Sequence, residues 1–422
     1  MNFRRLLNAL SLSLAMGLAF VAAPAFAERP GTQTAPQLDR ERARMNQRVF
    51  DRVWSDVRRE YYDPGLHGVD WNAARRTWRP QALAATDDRG LYRALNAMLD
   101  LLDDDHAGAA PPAVARRQDM LRQRRAMIGV SMRPDPDGSD GYTIERVVTG
   151  SVAAEAGIAV GWRLEVQTES EWTPEQDVIE GQPVALSLVD LTGTRRPMVL
   201  TPRVMDPQPA FVADRSRPGV VVLRVEGFEP GLGRWMGDQL AGLPAETDVV
   251  VDLRGNSGGR LLEAEAVLSC FLPPDRVWAT RRPRSGRTVV MSTGAGCGGL
   301  AGPAANDVAV LVDGQSRSAA ELTPAALQEA RRALVVGERT AGAVLISQEA
   351  RLPDGGRLTL SRADFITSGG VRLEKNGVQP DLVAPRTAED RRTGRDPALE
   401  AAVSALALPR AEQALATPAA PF

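Results

Sequence analysis

Side chains that could accept a proton near neutral pH are scarce in this chain of 422 residues: one lysine, Lys375, and two histidines, His67 and His106. Serine-based chemistry would have to take its base from these three or from a carboxylate, or do without one. Cysteine is nearly as rare. Cys270 and Cys297, with no histidine beside them, make a poor zinc site, so neither a metal nor a cofactor is expected. In an oxidising compartment such a pair suggests one disulfide, with two buried free thiols as the alternative. Charge of one sign is lacking too: the formal net charge is -2 and arginines are interspersed with acids. Without a basic stripe or interleaved basic and aromatic residues, no nucleic-acid partner is expected.

Long apolar runs are absent after the first one. Arg4 and Arg5 precede an apolar stretch over residues 6–21, and Ala25-Phe26-Ala27 offers a small-x-small cleavage site. Together they read as a signal peptide over residues 1–27, with an uncleaved anchor helix as the alternative. Nothing later resembles a membrane span, so the expectation is an exported, periplasmic or secreted protein with no integral membrane association. No cysteine stands at the cleavage site, which argues against a lipid anchor.

Residues 28–125 read as a polar leader followed by a small helical bundle. Val49, Phe50, Val53, Trp54 and Val57, and then Leu91, Leu95, Met98, Leu99 and Leu102, recur at helical spacing. Residues 126–205 change to short β-branched runs with turn signals, a compact, partly open β-barrel on this reading. Its acidic turn from Asp135 to Asp140 has incomplete calcium-ligand spacing and is expected to be a plain hairpin. Across residues 206–386, apolar strands at 220–225, 249–253, 308–312 and 334–336 alternate with helical patterns, the logic of a largely parallel α/β sheet. Asp354-Gly-Gly356 marks a hairpin. Residues 387–422 read as one helix and a disordered tail.

Two junctions could carry chemistry. Val249-Val-Val-Asp-Leu-Arg-Gly-Asn-Ser-Gly-Gly259 is a strand entering a glycine-rich turn, where N–H groups can converge on an anion. It lacks the lysine of a phosphate loop and could equally be a tight turn and nothing more. Leu311-Val-Asp-Gly-Gln-Ser-Arg-Ser-Ala-Ala-Glu321 delivers Ser318 to a helix N-terminus, where it is either an N-cap or a nucleophile.

The strings Asp252-Leu-Arg-Gly-Asn-Ser-Gly-Gly259, Ser318-Ala-Ala-Glu321, Val336-Gly-Glu-Arg-Thr-Ala-Gly342 and Gly370-Val-Arg-Leu-Glu-Lys-Asn-Gly-Val-Gln-Pro-Asp381 resemble, in order, the core of the C-terminal processing (tail-specific) serine peptidases. Gly150-Ser-Val-Ala-Ala-Glu-Ala-Gly-Ile158 is similar to their PDZ domain, and Leu101-Leu-Asp-Asp-Asp-His106 to the end of their leading bundle. The resemblance implies an α/β catalytic core (ClpP/crotonase-like) with an N-terminal helical bundle and an inserted PDZ-like β-barrel domain. It also implies a serine endopeptidase acting on extended or unfolded polypeptides, recognised by a C-terminal tail at backbone amides near Ile128, Gly129 and Val130.

The family's Ser/Lys branch carries its lysine where this chain has Ala343, and Lys375 belongs to another block. The tricorn-like branch uses histidine and glutamate instead, and these fall on His106 and Glu374. The residue before the histidine is Asp105 rather than that branch's serine. The resemblance thus implies Ser318 as nucleophile, His106 as general base, Glu374 as orienting carboxylate, and an oxyanion hole of the Gly258 and Ala319 amides. Glu321 and Gln348 are supporting polar candidates, with Glu321 able to close a capping box on Ser318. His67 reads as a solvated loop residue, and His106 could alternatively do no more than face the last carbonyls of its helix. Because of Ala343, a peptide-binding homologue without activity is the competing expectation.

Overall fold

A computed structural model describes residues 40–119, 124–134, 141–165, 171–174, 176–207 and 209–408. The signal segment, the leader, the Asp135–Asp140 turn and the C-terminal tail lie outside the described residues.

Apolar spacing drives the first helices, Arg40–Glu60, Trp71–Ala84 and Asp88–Leu99. Asp70 and Asp87 cap the second and third through the N–H groups of Ala73 and Gly90, each worth about 1 kcal/mol. Trp54 and Trp71 donate their indole N–H groups to each other's carbonyls, 2.9 and 3.0 Å long, locking the first helix to the second. Val49, Phe50, Val53, Leu91, Leu95 and Met98 are fully buried, and Leu345, Leu352, Leu358 and Leu360 complete their cluster. The helical region therefore closes its core only against strands more than two hundred residues later.

The central sheet follows from runs of Val and Leu. Its six strands lie in the order Leu382–Val383, Leu334–Gly337, Val308–Val312, Asp248–Asp252, Val220–Val225, Phe211–Asp214. All neighbours are parallel except the last pair. Alternate residues of one strand serve different layers. Val221, Leu223 and Val225 pack beneath helices Leu232–Leu240, Leu261–Phe271 and Ala319–Glu329, while Val220 and Val222 face helix Pro397–Leu406. Burial on both faces is why these strands are continuous apolar runs rather than alternating ones. Cys270, on helix Leu261–Phe271, is joined to Cys297 by a disulfide with Cα atoms 4.8 Å apart.

A second, antiparallel sheet had no counterpart in the sequence reading beyond its hairpin. Gly108–Ala110, Arg357–Thr367, Val277–Pro283 and Val289–Ser292 pair in that order, with Ile346–Arg351 also on Arg357–Thr367. The short strand just after His106 is thereby registered on the core: Gly108 opposite Thr359, Ala109 opposite Leu358, Ala110 opposite Arg357.

Residues 130–200 differ from expectation. Val130–Pro134, Gly141–Val147, Arg163–Glu165, Val184–Val189 and Arg195–Leu200 form an antiparallel sheet in sequential order. Among the described residues no pairing joins its first strand to its last, so in place of the expected partly open barrel there is an open sheet curled over Ile128, Ile144, Ala153, Leu164 and Leu186. The short ribbon of Arg125–Met127 with Arg203–Met205 brings entry and exit together. Among the described residues, no helix is long and apolar enough to cross a membrane.

Candidate active site

Ser318 stands where strand Val308–Val312 passes through a loop into helix Ala319–Glu329. Its backbone is left-handed in φ (54°, with ψ -121°), a sharp turn that costs a non-glycine residue on the order of 1–3 kcal/mol. The N–H groups of Ala320 and Glu321 bond to the carbonyls of Arg317 and Ser318, at 3.0 and 2.8 Å. Those first-turn donors thus have backbone acceptors. A cap alone does not account for strain held at a half-buried serine.

Gly258 lies against it. A Cβ built on Gly258, whose φ is +96°, would stand 2.7 Å from Ser318 Cβ and 3.1 Å from Ala319 N. The two amides expected to hold an oxyanion thus flank the serine. One of them is engaged, however. The Gly258 N–H donates to Asn256 Oδ1 at 2.7 Å. Buried Asn256 also donates to the Val225 carbonyl (2.8 Å) and accepts the Arg317 N–H on its own carbonyl (3.0 Å). An oxyanion at Gly258 would have to displace the Asn256 amide oxygen. The Ala319 N–H, at the first helical position, has no acceptor within the helix.

His106 follows a short 3-10 turn, Asp100–Leu102, and a left-handed Asp103. Asp104, itself buried, accepts the His106 backbone N–H at 2.8 Å. Asn96 then clasps Ala109 on both sides, donating to its carbonyl (3.0 Å) and accepting its N–H (2.7 Å). Burial holds the imidazole below the ordinary histidine value. Asp104 and Asp105 pull it up, while Arg317, next to Ser318, and Lys375, next to Glu374, push it further down.

Glu374 is buried, and its Oε2 accepts the Val344 N–H at 2.9 Å. Burial raises its carboxyl; the Val344 N–H opposes, and the charge of Asp104 adds to the rise. The turn at residues 342–344 is common ground. The Ala343 carbonyl accepts the Ser318 N–H (2.8 Å), the Gly342 carbonyl accepts the Lys375 N–H (2.7 Å), and Val344 holds Glu374. Among the buried side-chain atoms without a hydrogen-bond partner are His106 Nδ1, Glu374 Oε1 and Asp104 Oδ2.

Lys375 is already occupied. Its Nζ lies 3.2 Å from both Asp103 Oδ1 and Asp105 Oδ2. Burial lowers the ammonium, but these two carboxylates outweigh it and hold the group above its usual range. A charged, doubly paired lysine is no base. His67 is exposed yet not merely solvated: Nδ1 meets the Leu102 carbonyl and Nε2 the Tyr62 hydroxyl, both at 2.8 Å. Gln348 sits exposed on strand Ile346–Arg351 and is not drawn into the cluster. Among the described residues, no group of His, Cys, Asp and Glu could hold a metal ion.

Asn256 and Asp104 were not singled out from the sequence. Asp104 is one of three consecutive aspartates, and nothing in their order tells which one folds inward. Asn256 lay inside a recognised string, but its role depends on the strand beside it.

Comparison with known proteins sets this geometry in context. Residues 219–384 match the family model Peptidase family S41, and residues 43–100 match the Tricorn protease C1 domain. The chain is 26% identical over 355 residues to a carboxyl-terminal-processing protease of Synechocystis sp., covering 80% of each. It is 27% identical over 398 residues to tricorn protease homolog 1 of Streptomyces coelicolor, covering 86% of this chain and 35% of that one. Its fold matches the photosystem II D1 C-terminal processing protease with a TM-score of 0.58 at 22% identity, over 81% of this chain and 93% of that one.

The match over residues 219–384 and these relatives support a serine-type peptidase, a hydrolase. Residues 219–384 carry the match to peptidase family S41, and the relatives named here are carboxyl-terminal-processing proteases or a tricorn protease homolog.

Proposed function

We propose that the chain is an exported serine endopeptidase that cuts extended or unfolded polypeptides through Ser318, His106 and Glu374. The observation that carries this reading is a pair of orphaned buried atoms: Glu374 Oε1, on the segment seated by the turn that accepts the Ser318 N–H, and His106 Nδ1, next to Asp105, which pairs with Lys375 beside Glu374. A buried polar atom without a partner costs about 1–3 kcal/mol. Two of opposite function in one cluster suit a histidine and the carboxylate that orients it. The match of residues 43–100 to a tricorn domain supports the same branch, since His106 lies six residues past the end of that segment.

In this mechanism Ser318 Oγ attacks the scissile carbonyl carbon as neutral His106 takes its proton through Nε2. The imidazolium keeps its Nδ1–H on Glu374. The oxyanion takes the Ala319 N–H and, once Asn256 Oδ1 is displaced, the Gly258 N–H. Collapse breaks the C–N bond, with the His106 proton passing to the departing amine. Water then attacks the acyl-serine with His106 again as base, freeing the carboxylate product and Ser318.

Substrate would be held by the sheet of residues 130–200, read as PDZ-like. Val130–Pro134 is its edge strand, and a cleft of about 910 Å³ runs along Met127 to Met132. Trp172 and Val178, from an irregular segment, and Gly227, from the core, line it as well. An edge strand beside a cleft suits an extended peptide added by main-chain pairing, with its C-terminus near Ile128, Gly129 and Val130.

The test is labelling by a fluorophosphonate across pH 5–9 of wild type, Ser318→Ala and His106→Ala. Labelling that needs both residues and grows as a histidine deprotonates is the expected result. Folded wild type that binds a C-terminal peptide but takes no label would instead mean a peptide-binding homologue without hydrolysis.

A further inference from the structure

Glu321 is a buried carboxylate that the proposed chemistry does not use, and it is fully enclosed (0% exposed). An N3 glutamate in a capping box normally returns one bond to the N-cap N–H. Glu321 does so, accepting the Ser318 N–H on Oε2 at 3.1 Å. It also accepts three donors from a different segment. Ala343 N–H reaches the same oxygen at 2.9 Å, while Thr340 Oγ1 and Gly342 N–H reach Oε1 at 2.5 and 2.7 Å. Three of the four donors are N–H groups that cannot accept, so the geometry favours the ionised form; only the Thr340 hydroxyl could receive a carboxylic proton. Burial raises its carboxyl and the Thr340, Gly342, Ala343 and Ser318 donors oppose that rise.

The held segment is the one that locates Glu374. Thr340 Oγ1, donating to Glu321, accepts the Val378 N–H at 2.7 Å. Gly342 offers its carbonyl to the Lys375 N–H, and Val344 donates to Glu374 itself. One carboxylate therefore joins the strained backbone of Ser318 to the turn that seats the orienting glutamate. With both oxygens filled by donors, Glu321 has no lone pair directed at a reacting proton.

We infer that Glu321 is a positioning residue, fixing the Ser318 turn relative to the turn over residues 340–344 and through it to Glu374. This rests on the assignment of Ser318 and Glu374 made above. The isosteric Glu321→Gln replaces an acceptor by an NH₂ facing N–H donors, so the two turns should separate by a fraction of an ångström to an ångström.

The experiment measures fluorophosphonate labelling rate, peptide kcat and KM, and thermal unfolding for the full chain, Glu321→Gln and Thr340→Val. Labelling rate and kcat of Glu321→Gln should fall about a hundredfold, as misplacement on this scale can produce, with KM changed by less than about twofold because peptide binding does not use Glu321. Thr340→Val, which removes one donor from the carboxylate, should slow both about tenfold. If wild type labels and folded Glu321→Gln labels within twofold of it, Glu321 is a structural cap and the inference fails alone. If Glu321→Gln does not fold, Thr340→Val decides: slowed labelling with unchanged KM supports the inference, and wild-type labelling rejects it. Wild type that takes no label overturns this inference together with the reading beneath it.

Discussion

Ser318 and His106 sit in regions held by different means. Ser318 is held locally: a strand of five buried residues, a tight loop and a helix whose first nine residues are all buried fix its backbone. His106 is held from a distance. Its loop is steadied by the Asp104 side chain, the Asn96 amide, a three-residue strand paired with residues 357–359, and the ion pairs of Lys375. The first arrangement opens only with the core sheet, whereas the second can loosen by losing a few surface-near contacts. On the proposed assignment, a nucleophile built on the core and a base delivered by another region make assembly of the base the more easily disturbed step.

That contrast can be broken outright. Ser318→Ala and His106→Ala should each lower kcat by about 10⁴-fold or more, as loss of triad members does. A His106→Ala enzyme within tenfold of wild type on a peptide substrate would remove the helical region from the chemistry. On the core side, Gly258→Ala forces a Cβ to within 2.7 Å of Ser318 Cβ at a φ of +96°. Its kcat should drop by about 10²–10³-fold, the cost of one oxyanion donor, and a loss under tenfold would discard Gly258 as a participant.

On the other side the effects should be smaller. Burial keeps His106 below the ordinary value of 6.5, so its neutral, basic form persists into mildly acid solution. The acid limb of kcat/KM should accordingly have its midpoint below pH 6.5, with activity present above that midpoint and lost as pH falls through it. Asp104 opposes that depression, so Asp104→Asn should move the midpoint lower still. A midpoint that stays in place would show that the Asp104 charge does not reach the ring. The mildest change is Lys375→Ala. Its ion pairs are well exposed, with Asp103 at 87% and Asp105 at 51% side-chain exposure, so the loss in kcat/KM should be roughly two- to fivefold in dilute buffer and should fade in about 1 M salt. An equal loss at both salt concentrations would mean that Lys375 acts through packing rather than charge.

Much of the core was legible. Strand Val308–Val312 is apolar at all five positions because both faces are covered, and that burial is what an uninterrupted run reports. Helix Asp88–Leu99 announced its buried face through Leu91, Leu95 and Met98. The antiparallel sheet was harder. Gly108–Ala110 is too short and too small in its side chains to carry a period, and its partner lies some 250 residues further along. The sheet of residues 130–200 was legible as strands, but whether its ends would pair was not, because closure depends on the geometry of its first and last strands and not on either one's composition.

For the site, the sequence by itself determined which groups were available: Ser318 at a strand-to-helix turn, two histidines, one lysine and a set of short motifs whose resemblance pointed to Ser318, His106 and Glu374. Only the tertiary structure decided their condition. It paired Lys375 with two aspartates, committed the Gly258 N–H to Asn256, left His106 Nδ1 and Glu374 Oε1 without partners, and gathered four donors on Glu321. The reason is physical: a residue's type fixes what it can donate or accept, but burial and the neighbours brought in from distant segments fix whether it does.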